Sequence, residues 1–243
     1  MPSYTGFAEF YDAVMGDPTG KIELISDWIR QHAPQARSLL ELGCGTGSVL
    51  AGLAELPSLT GIDLSPRMLD IARSKVPRAR LVEADMVSFA LQERFDVGLC
   101  VFDTINHLDT FDAWKDLFER VHEHLVEHGL FIFDVNTIGK LRALGNASPW
   151  VHDFDRNVLI MNVEFDGQQM SIWDVRVFQH LNDRQFLLHH ERIGELGVPL
   201  GEIRSALRDD FEVLDEHDPD GTSPTDESRR VYFACRRKPG LQT

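Results

Sequence analysis

The chain has 243 residues, which suits a single domain with room for an insertion. Hydrophobic residues make up 43% of it, and the net charge of -15 argues against unspecific binding to phosphate backbones. No apolar run reaches membrane length, no signal sequence opens the chain, and the cysteines Cys44, Cys100 and Cys235 are scattered and odd in number. We therefore expect a reduced, cytoplasmic protein without DNA or membrane partners.

An aromatic-rich segment, residues 4–15, precedes the first predicted strand and contains Tyr4 and Tyr11. The run from Gly16 to Gly20 breaks the chain, and apolar residues then recur at helical spacing. This N-terminal stretch, residues 1–37, either packs on the sheet or closes over a ligand mouth as a helical lid.

Residues 38–47 predict a strand followed by a tight turn. The apolar run contains Glu41, and Gly43, Gly45 and Gly47 follow at alternate positions. Glycine is needed where the backbone takes a positive φ or where a ligand must approach main-chain atoms closely. Because helix-forming residues come next, the segment predicts the first βα turn of a nucleotide-binding α/β sheet.

A second short apolar strand ends at Asp63, twenty positions beyond Gly43. That is where a dinucleotide-binding fold places the carboxylate that accepts hydrogen bonds from ribose hydroxyls. Ser65 and Pro66 predict the N-cap and the first residue of the next helix. A surface cap is the alternative role of Asp63, but its distance from the glycine turn favours ligand binding.

Three further elements complete a predicted α/β pattern. Leu81–Met86 predicts a third strand and turn, in which Asp85 either pairs with an adenine amine or is an ordinary turn aspartate. Phe95–Phe102 is a nearly continuous apolar run, typical of a parallel strand buried on both faces. A helix over residues 111–127 and a fifth strand over residues 130–136 follow.

Taken together, five segments in this order resemble class I S-adenosylmethionine-dependent methyltransferases: residues 41–47, 61–65, 84–86, 95–97 and 129–134. The resemblance implies a Rossmann-like, doubly wound α/β fold with a seven-stranded, mostly parallel sheet, and S-adenosylmethionine as the cofactor. An NAD fingerprint would have two residues between its second and third glycines, whereas Thr46 alone separates Gly45 from Gly47.

The same resemblance implies which residues bind this cofactor. Glu41 and the glycine turn would hold its methionine part, Asp63 its ribose and Asp85 with Met86 its adenine. Phe102 would lie beside it. The full implied set is Tyr4, Tyr11, Glu41, Gly43, Cys44, Gly45, Gly47, Asp63, Leu64, Met68, Asp85, Met86 and Phe102.

Two narrower resemblances concern the acceptor. Residues 4–47 and 102–108 are similar to amino-sugar N,N-dimethyltransferases, in which N-terminal aromatic residues reach the cofactor and a histidine matching His107 is a candidate base. Residues 129–141 are instead similar to a broad bacterial group with poorly defined substrates. We expect methyl transfer to a nitrogen or oxygen of a small molecule. The alternatives are a tRNA or protein acceptor, or a cofactor-binding module without turnover.

Methyl transfer from a sulfonium is an in-line displacement, so most of the catalysis can come from holding the acceptor at attack distance. A base is needed only if the acceptor arrives protonated or as an alcohol. His107 is the candidate base, and a turn histidine bonded to the main chain is its alternative role. We predict no metal site, because His122, His124 and His128 lie on a mainly polar helix face and are expected to be solvated. Weaker candidates for orienting the acceptor are Asp103, Asn106, Asp134 and Asn136.

Residues 150–195 depart from the minimal fold. Partial alternation and the Asp166-Gly167 turn predict an antiparallel hairpin or three-stranded meander after strand five. This insertion would either wall off the substrate over the active site or form the face of a homodimer. The chain is thus divided into an N-terminal lid (1–37), a cofactor-binding core (38–149), the insertion (150–195) and a closing helix with two strands (196–243).

Overall fold

The structure is a computed structural model that describes residues 6–147 and 149–240. Within these two ranges no helix is long and apolar enough to cross a bilayer. The strands are β1 Ser38–Leu42, β2 Ser58–Asp63, β3 Arg80–Glu83, β4 Phe95–Cys100, β5 Leu125–Asn136, β6 Trp150–Phe154, β7 Asn157–Phe165, β8 Met170–Asn182, β9 Gln185–Leu196, β10 Phe211–His217 and β11 Arg230–Arg237. The α-helices are α1 Tyr11–Met15, α2 Thr19–His32, α3 Ser48–Gly52, α4 Pro66–Lys75, α5 Phe111–His124, α6 Ile138–Gly145 and α7 Leu200–Leu207.

The main sheet has seven strands in the order β10-β11-β5-β4-β1-β2-β3. The pairs among β3, β2, β1, β4 and β5 are parallel, and β11 runs antiparallel to both of its neighbours. The strand order reverses between β1 and β4, so a crevice opens at the carboxyl ends of these two strands, where open α/β sheets bind ligands. The predicted mostly parallel, seven-stranded sheet is confirmed.

Helices cover both faces of this sheet. On one face, α5 and α7 bury side chains such as Trp114, Phe118 and Ile203 against the strands. On the other, α2, α3 and α4 bury Ile25 and Leu50 among their neighbours. Because both faces are covered, the central strands are apolar along almost their whole length, as the sequence predicted.

Two predicted boundaries in this layer are wrong. Strand β4 ends at Cys100 because Phe102 and Asp103 adopt left-handed conformations, with φ of 63° and 54°. Helix α5 ends at His124 rather than at residue 127, since Leu125 already pairs with Phe95 as the first residue of β5.

The prediction of a solvated His124 is also wrong. Its side chain is 6% exposed and its ring packs against Phe89. The N–H of Leu91 donates to His124 Nε2 at 3.0 Å, while Nδ1 lies 2.7 Å from the carbonyl oxygen of Arg120. His124 is therefore a buried histidine whose two ring nitrogens are bonded to main chain.

The insertion forms a second, antiparallel sheet of four strands, β6-β7-β8-β9, rather than the two or three that the sequence predicted. The missed strand is β6, which a tight turn at Asp155, with φ of 51°, joins to β7. Phe7 and Phe10 of the N-terminal segment pack into a third apolar cluster with Leu159 and Val177 of this sheet. The N-terminal segment is thereby held between the two sheets.

Candidate functional site

The glycine turn after β1 uses its glycines for different reasons. Gly43 has φ of 64°, and a Cβ there would lie 2.3 Å from Thr104 Cγ2. Gly45 has φ of 52°, but a Cβ there would meet no atom of the described residues within 4 Å. Gly47, with φ of 77°, is the N-cap of α3. Gly43 therefore lets the turn pack against the segment after β4, whereas Gly45 leaves its main chain accessible from the crevice.

Asp63, at the end of β2, is bonded to the glycine turn. Its Oδ2 accepts a hydrogen bond from the Gly45 N–H at 2.8 Å, and its Oδ1 accepts one from the Ser65 N–H at 2.8 Å. Burial raises the pKa of Asp63, and these two N–H groups oppose that shift. Ser65 is the N-cap of α4, as predicted, and its hydroxyl accepts a hydrogen bond from the Met68 N–H at 3.4 Å. Asp63 is thus not a surface cap, and each of its oxygens has room for another donor.

Glu41, within β1, is a buried residue that is 3% exposed. Its Oε2 has no hydrogen-bond partner among residues 6–147 and 149–240. Burial, and after it the charge of Asp63, raises the pKa of Glu41 well above its ordinary value. A buried oxygen without a donor is costly, so this atom marks a position where a ligand donor would be stabilising.

Tyr11 of α1 extends from the N-terminal segment towards the same crevice. Burial, followed by the charges of Asp103 and Asp63, raises the pKa of its phenol, and Glu41 adds to the shift. The Tyr11 hydroxyl therefore lies in the field of carboxylates from three different strand ends. Tyr4, predicted to act beside it, lies outside the described residues.

Polar contacts on both sides hold the N-terminal segment in this position. Asp12 accepts a hydrogen bond from Thr46 Oγ1 at 2.6 Å and pairs with Lys75. Glu191 of β9 accepts from the Phe7 N–H at 3.2 Å. The segment consequently bridges the glycine turn and the second sheet, as a closed lid would.

The remaining predicted cofactor contacts have varied surroundings. The ring of Phe102 has Lys21 Nζ 3.8 Å from its centroid. Asp85 is a turn aspartate whose Oδ1 accepts from the Val87 N–H at 3.0 Å, which matches its alternative role without excluding the first. Leu64 is 49% exposed at the rim. Cys44 and Met68 are buried, and Met86 is half-buried.

Past the end of β4, three side chains from two sheets converge. One polar atom from each of Asp103, His107 and Glu195 lies within 4.8 Å of the others. His107 ends a 3₁₀ turn, Thr104–His107, and its Nδ1 lies 3.2 Å from the carbonyl oxygen of Gly194 in β9. The second sheet thus fixes the orientation of the imidazole, and the main-chain bond foreseen as the alternative role is present.

Arg230, the first residue of β11, joins the strand ends of β4 and β5. Its guanidinium pairs with the carboxylates of both Asp103 and Asp134. The Asp103 N–H also donates to Asp134 Oδ2 at 3.2 Å. Burial disfavours the charge on Asp103, but the Arg230 guanidinium outweighs it and holds the pKa of this carboxyl below its usual range. The pairing also restrains the left-handed backbone at Phe102 and Asp103.

A second buried network lies next to it. Asn136 Nδ2 donates to Glu195 Oε2 at 2.8 Å, and Lys140 Nζ donates to Asn136 Oδ1 at 2.6 Å. Asn106 Nδ2 donates to the carbonyl oxygens of Asn136 and Leu196, at 2.9 and 2.8 Å. Burial, and then the charge of Asp103, raises the pKa of Glu195 to about 8. Sequence reasoning found Asn106 and Asn136 but missed Glu195, Arg230 and Lys21. No local sequence motif marks any of these three as a site residue, because each is a charged residue next to an apolar one.

Comparison with known proteins gives three findings. Residues 39–129 match the protein family described as "Methyltransferase domain". The chain is 27% identical over 242 residues, 96% of this chain and 97% of the relative, to "Putative methyltransferase YqeM" of Bacillus subtilis. It is 35% identical over 137 residues, 54% of each chain, to dTDP-3-amino-3,6-dideoxy-alpha-D-glucopyranose N,N-dimethyltransferase of Streptomyces fradiae.

Among solved structures, the fold is similar to that of an S-adenosylmethionine-dependent methyltransferase from Clostridium acetobutylicum. The TM-score is 0.86, the identity 23%, and the match covers 97% of this chain and 99% of that one. The match spans both sheets, so the second sheet is a shared part of the fold.

Proposed function

We propose that this chain, which is an S-adenosylmethionine-dependent methyltransferase by its matching domain, its relatives and its fold, transfers the methyl group to an amine nitrogen of a small molecule. The observation that carries the choice of acceptor is the convergence of Asp103, His107 and Glu195 past the end of β4. The name of the Streptomyces fradiae relative, an amino-sugar N,N-dimethyltransferase, supports the same choice.

The crevice fits the cofactor. Its α-ammonium group and ribose hydroxyls are donors, and Glu41 Oε2 and Asp63 are buried acceptors with capacity left for them. Gly45 leaves the main chain open to close approach, and Tyr11 covers the same space from the N-terminal segment. When bound there, the cofactor supplies an electrophilic methyl group. The chain's own residues supply the rest: they bind it, orient the acceptor and exclude water.

On the acceptor side, the geometry suits an amine. An ammonium has three N–H donors, and the three converging groups are an imidazole and two carboxyls. His107 would take the proton from the arriving ammonium, so that the nitrogen lone pair becomes available. The ionised carboxylate of Asp103 would then stabilise the positive charge that returns to nitrogen on methylation.

A divalent cation fits the same atoms less well. Asp103 already pairs with the Arg230 guanidinium, and Lys140 donates to Asn136 beside Glu195. These positive charges leave too little net negative charge for a doubly charged ion, but enough for a single ammonium.

The test is turnover with isotopically labelled S-adenosylmethionine on fractionated metabolites and a panel of primary and secondary amines. We expect His107→Ala to lower kcat by about 10²- to 10⁴-fold, the usual contribution of a general base. The loss should shrink at high pH, where the amine arrives deprotonated. His128→Ala, at an exposed position of β5, is the matched control. Full turnover by His107→Ala on the identified acceptor would show that His107 is not the base.

We further propose a homodimer formed through the second sheet, and a cytoplasmic location. Phe186, Leu187 and Leu188 are each about half exposed on β9, an outer strand of that sheet, at 49%, 48% and 50%. Such an edge is a template for pairing with a second copy. Light scattering should give twice the 27.6 kDa chain mass, and Leu187→Glu should reduce it to one chain. The buried free cysteines support a reducing compartment, and the net charge of -15 argues against DNA as a partner.

A further inference from the structure

We propose that Lys21 binds the α-carboxylate of the cofactor's methionine part, a contact that rests on the proposed function and deepens it. Lys21 is the third residue of α2 and lies over the Phe102 ring, at the exit of β4. The ligand chemistry that it recognises is an anionic carboxylate.

Lys21 is a half-buried cation whose Nζ forms no hydrogen bond or ion pair with an oxygen of the described residues. Across residues 6–147 and 149–240, its Nζ makes no side-chain hydrogen bond or ion pair, and its contact is the face of Phe102 at 3.8 Å. Burial, followed by repulsion from Arg230, lowers the pKa of the ammonium, and the charges of Asp103 and Asp134 oppose that shift without outweighing it. An arriving anion would relieve both penalties, so Lys21 gains from a ligand in a way that a solvated lysine does not.

The other cations around the crevice are already engaged. Arg230 pairs with Asp103 and Asp134, and Lys140 donates to Asn136. On the far side of the glycine turn, Lys75 pairs with Asp12 and donates to Thr46 at 3.0 Å. Among these neighbours, Lys21 is the cation with its donors still available to an anion.

The crevice therefore contains two complementary unsatisfied groups. Among the described residues, Glu41 Oε2 has no donor and Lys21 Nζ has no acceptor. They belong to adjacent strand ends, because Glu41 pairs in register with Leu99 of β4, and Phe102 under Lys21 follows three residues later. An α-amino acid carries an ammonium and a carboxylate on one carbon, so a zwitterion satisfies both groups at once.

An anionic group on the acceptor is the other possible source of this carboxylate. The unpartnered oxygen of Glu41 favours the cofactor, since the acceptor lies on the side of His107 and Glu195. The test must separate these two sources.

The experiment measures binding by calorimetry with two ligands. One is S-adenosylhomocysteine, and the other is its decarboxylated analogue, 5′-(3-aminopropylthio)-5′-deoxyadenosine, which keeps the ammonium and lacks only the carboxylate. We expect Lys21→Met to weaken S-adenosylhomocysteine binding by about 10- to 100-fold, the range of a hydrogen bond to a charged group. Its affinity for the analogue should change by less than about threefold. Lys21→Arg should restore much of the loss, and Lys115→Met, at an exposed helix position, should change neither affinity.

The remaining outcomes overturn the proposal in different ways. Unchanged binding of both ligands to Lys21→Met, with a raised KM for the acceptor, would assign Lys21 to an anionic acceptor instead. Equal losses for both ligands would mean that Lys21 acts on the shape of the crevice and not on the carboxylate. If the wild-type protein binds neither ligand, the cofactor assignment itself fails, and the role of Lys21 fails with it.

Discussion

We call the half of the crevice formed by β1 and β2 the cofactor half. There, Glu41 Oε2 is buried with no partner in the described part of the chain, and Gly45 leaves open space beside its main chain. In the half formed by β4, β5 and β11, the acceptor half, the Arg230 guanidinium pairs with two carboxylates at once. Asn136 and Glu195 extend that network into the second sheet. One half is left incomplete for a ligand, and the other is satisfied within the protein.

This difference indicates that one half serves ligand binding and the other serves the stability of the fold. Unsatisfied buried groups in the cofactor half lower the stability of the protein without ligand. A ligand with the right donors satisfies these groups and stabilises the folded state. The satisfied network of the acceptor half instead stabilises the fold and fixes Asp103 and His107 in place. Changes to the unsatisfied groups of the cofactor half should therefore act mainly on binding, and changes to the Arg230 network of the acceptor half mainly on folding.

The largest expected effect comes from Arg230→Met. The substitution leaves Asp103 and Asp134 buried and facing each other without a cation, which costs about 3–5 kcal/mol when one partner of a buried pair is removed. Urea denaturation followed by circular dichroism should show the loss at neutral pH. Arg142→Met, which removes an exposed pair with Glu227, should cost about 1 kcal/mol or less.

A loss of stability for Arg230→Met no larger than that of Arg142→Met would contradict the view that the Arg230 network stabilises the fold. Lowering the pH supplies a second check. With Arg230 gone, protonation of the two carboxylates removes their repulsion, so the gap between wild type and variant should narrow in acid.

The second prediction compares two glycines of the same turn. Gly43→Ala would drive a Cβ into Thr104 Cγ2 at 2.3 Å, so unfolding should become easier. In Gly45→Ala, the new Cβ would meet no atom of the described residues within 4 Å. The substitution should therefore cost only the strain of a left-handed alanine, about 1–2 kcal/mol of unfolding free energy. Its new methyl group nevertheless points into the space that we propose for the cofactor, so S-adenosylhomocysteine affinity should fall about 10- to 100-fold. Calorimetry and thermal unfolding on both variants would separate the two effects. If Gly45→Ala binds S-adenosylhomocysteine as tightly as wild type, the glycine turn does not contact the cofactor.

The cofactor half was largely predictable from the sequence because its determinants are local. The alternate glycines after β1 and Asp63 at the end of β2 lie within short segments, and each chemical need has a characteristic residue. The structure accordingly gives Gly43, Gly45 and Gly47 positive φ and bonds Asp63 to the turn.

The acceptor half was not predictable because its partners are distant in sequence. Arg230 is 127 positions from Asp103, and no sequence motif near Arg230 predicts that the two residues pair. Glu195 reaches Asn136 only because the second sheet folds back over β5. Strand β6 was missed for a related reason: its residues are exposed or half-exposed and show no strict alternation.

The smallest effect is the pH dependence that Glu195 adds to stability. Burial and the charge of Asp103 raise its pKa to about 8, while Arg230 and Lys140 oppose the shift. The unfolded chain has an ordinary glutamate pKa of about 4.3, so between these values the folded protein binds a proton that the unfolded chain does not. Stability from this group is present below about pH 4.3 and is lost as pH rises towards 8.

Glu195→Gln removes that titration and keeps an oxygen for the Asn136 amide to donate to. Between pH 6 and 8, wild type should lose about 2 kcal/mol more of its unfolding free energy than the variant, since one pKa unit corresponds to about 1.4 kcal/mol. The other charged groups around Glu195, among them Asp103, Lys140 and Arg230, are the same residues in both proteins. Glu164→Gln, at an exposed position of β7, should leave the wild-type slope unchanged. Parallel stability curves for wild type and Glu195→Gln would mean that Glu195 is ionised in the folded protein. Glu195 would then be an unsatisfied buried charge, like the groups of the cofactor half. The acceptor half would in that case not be fully satisfied within the protein at β9.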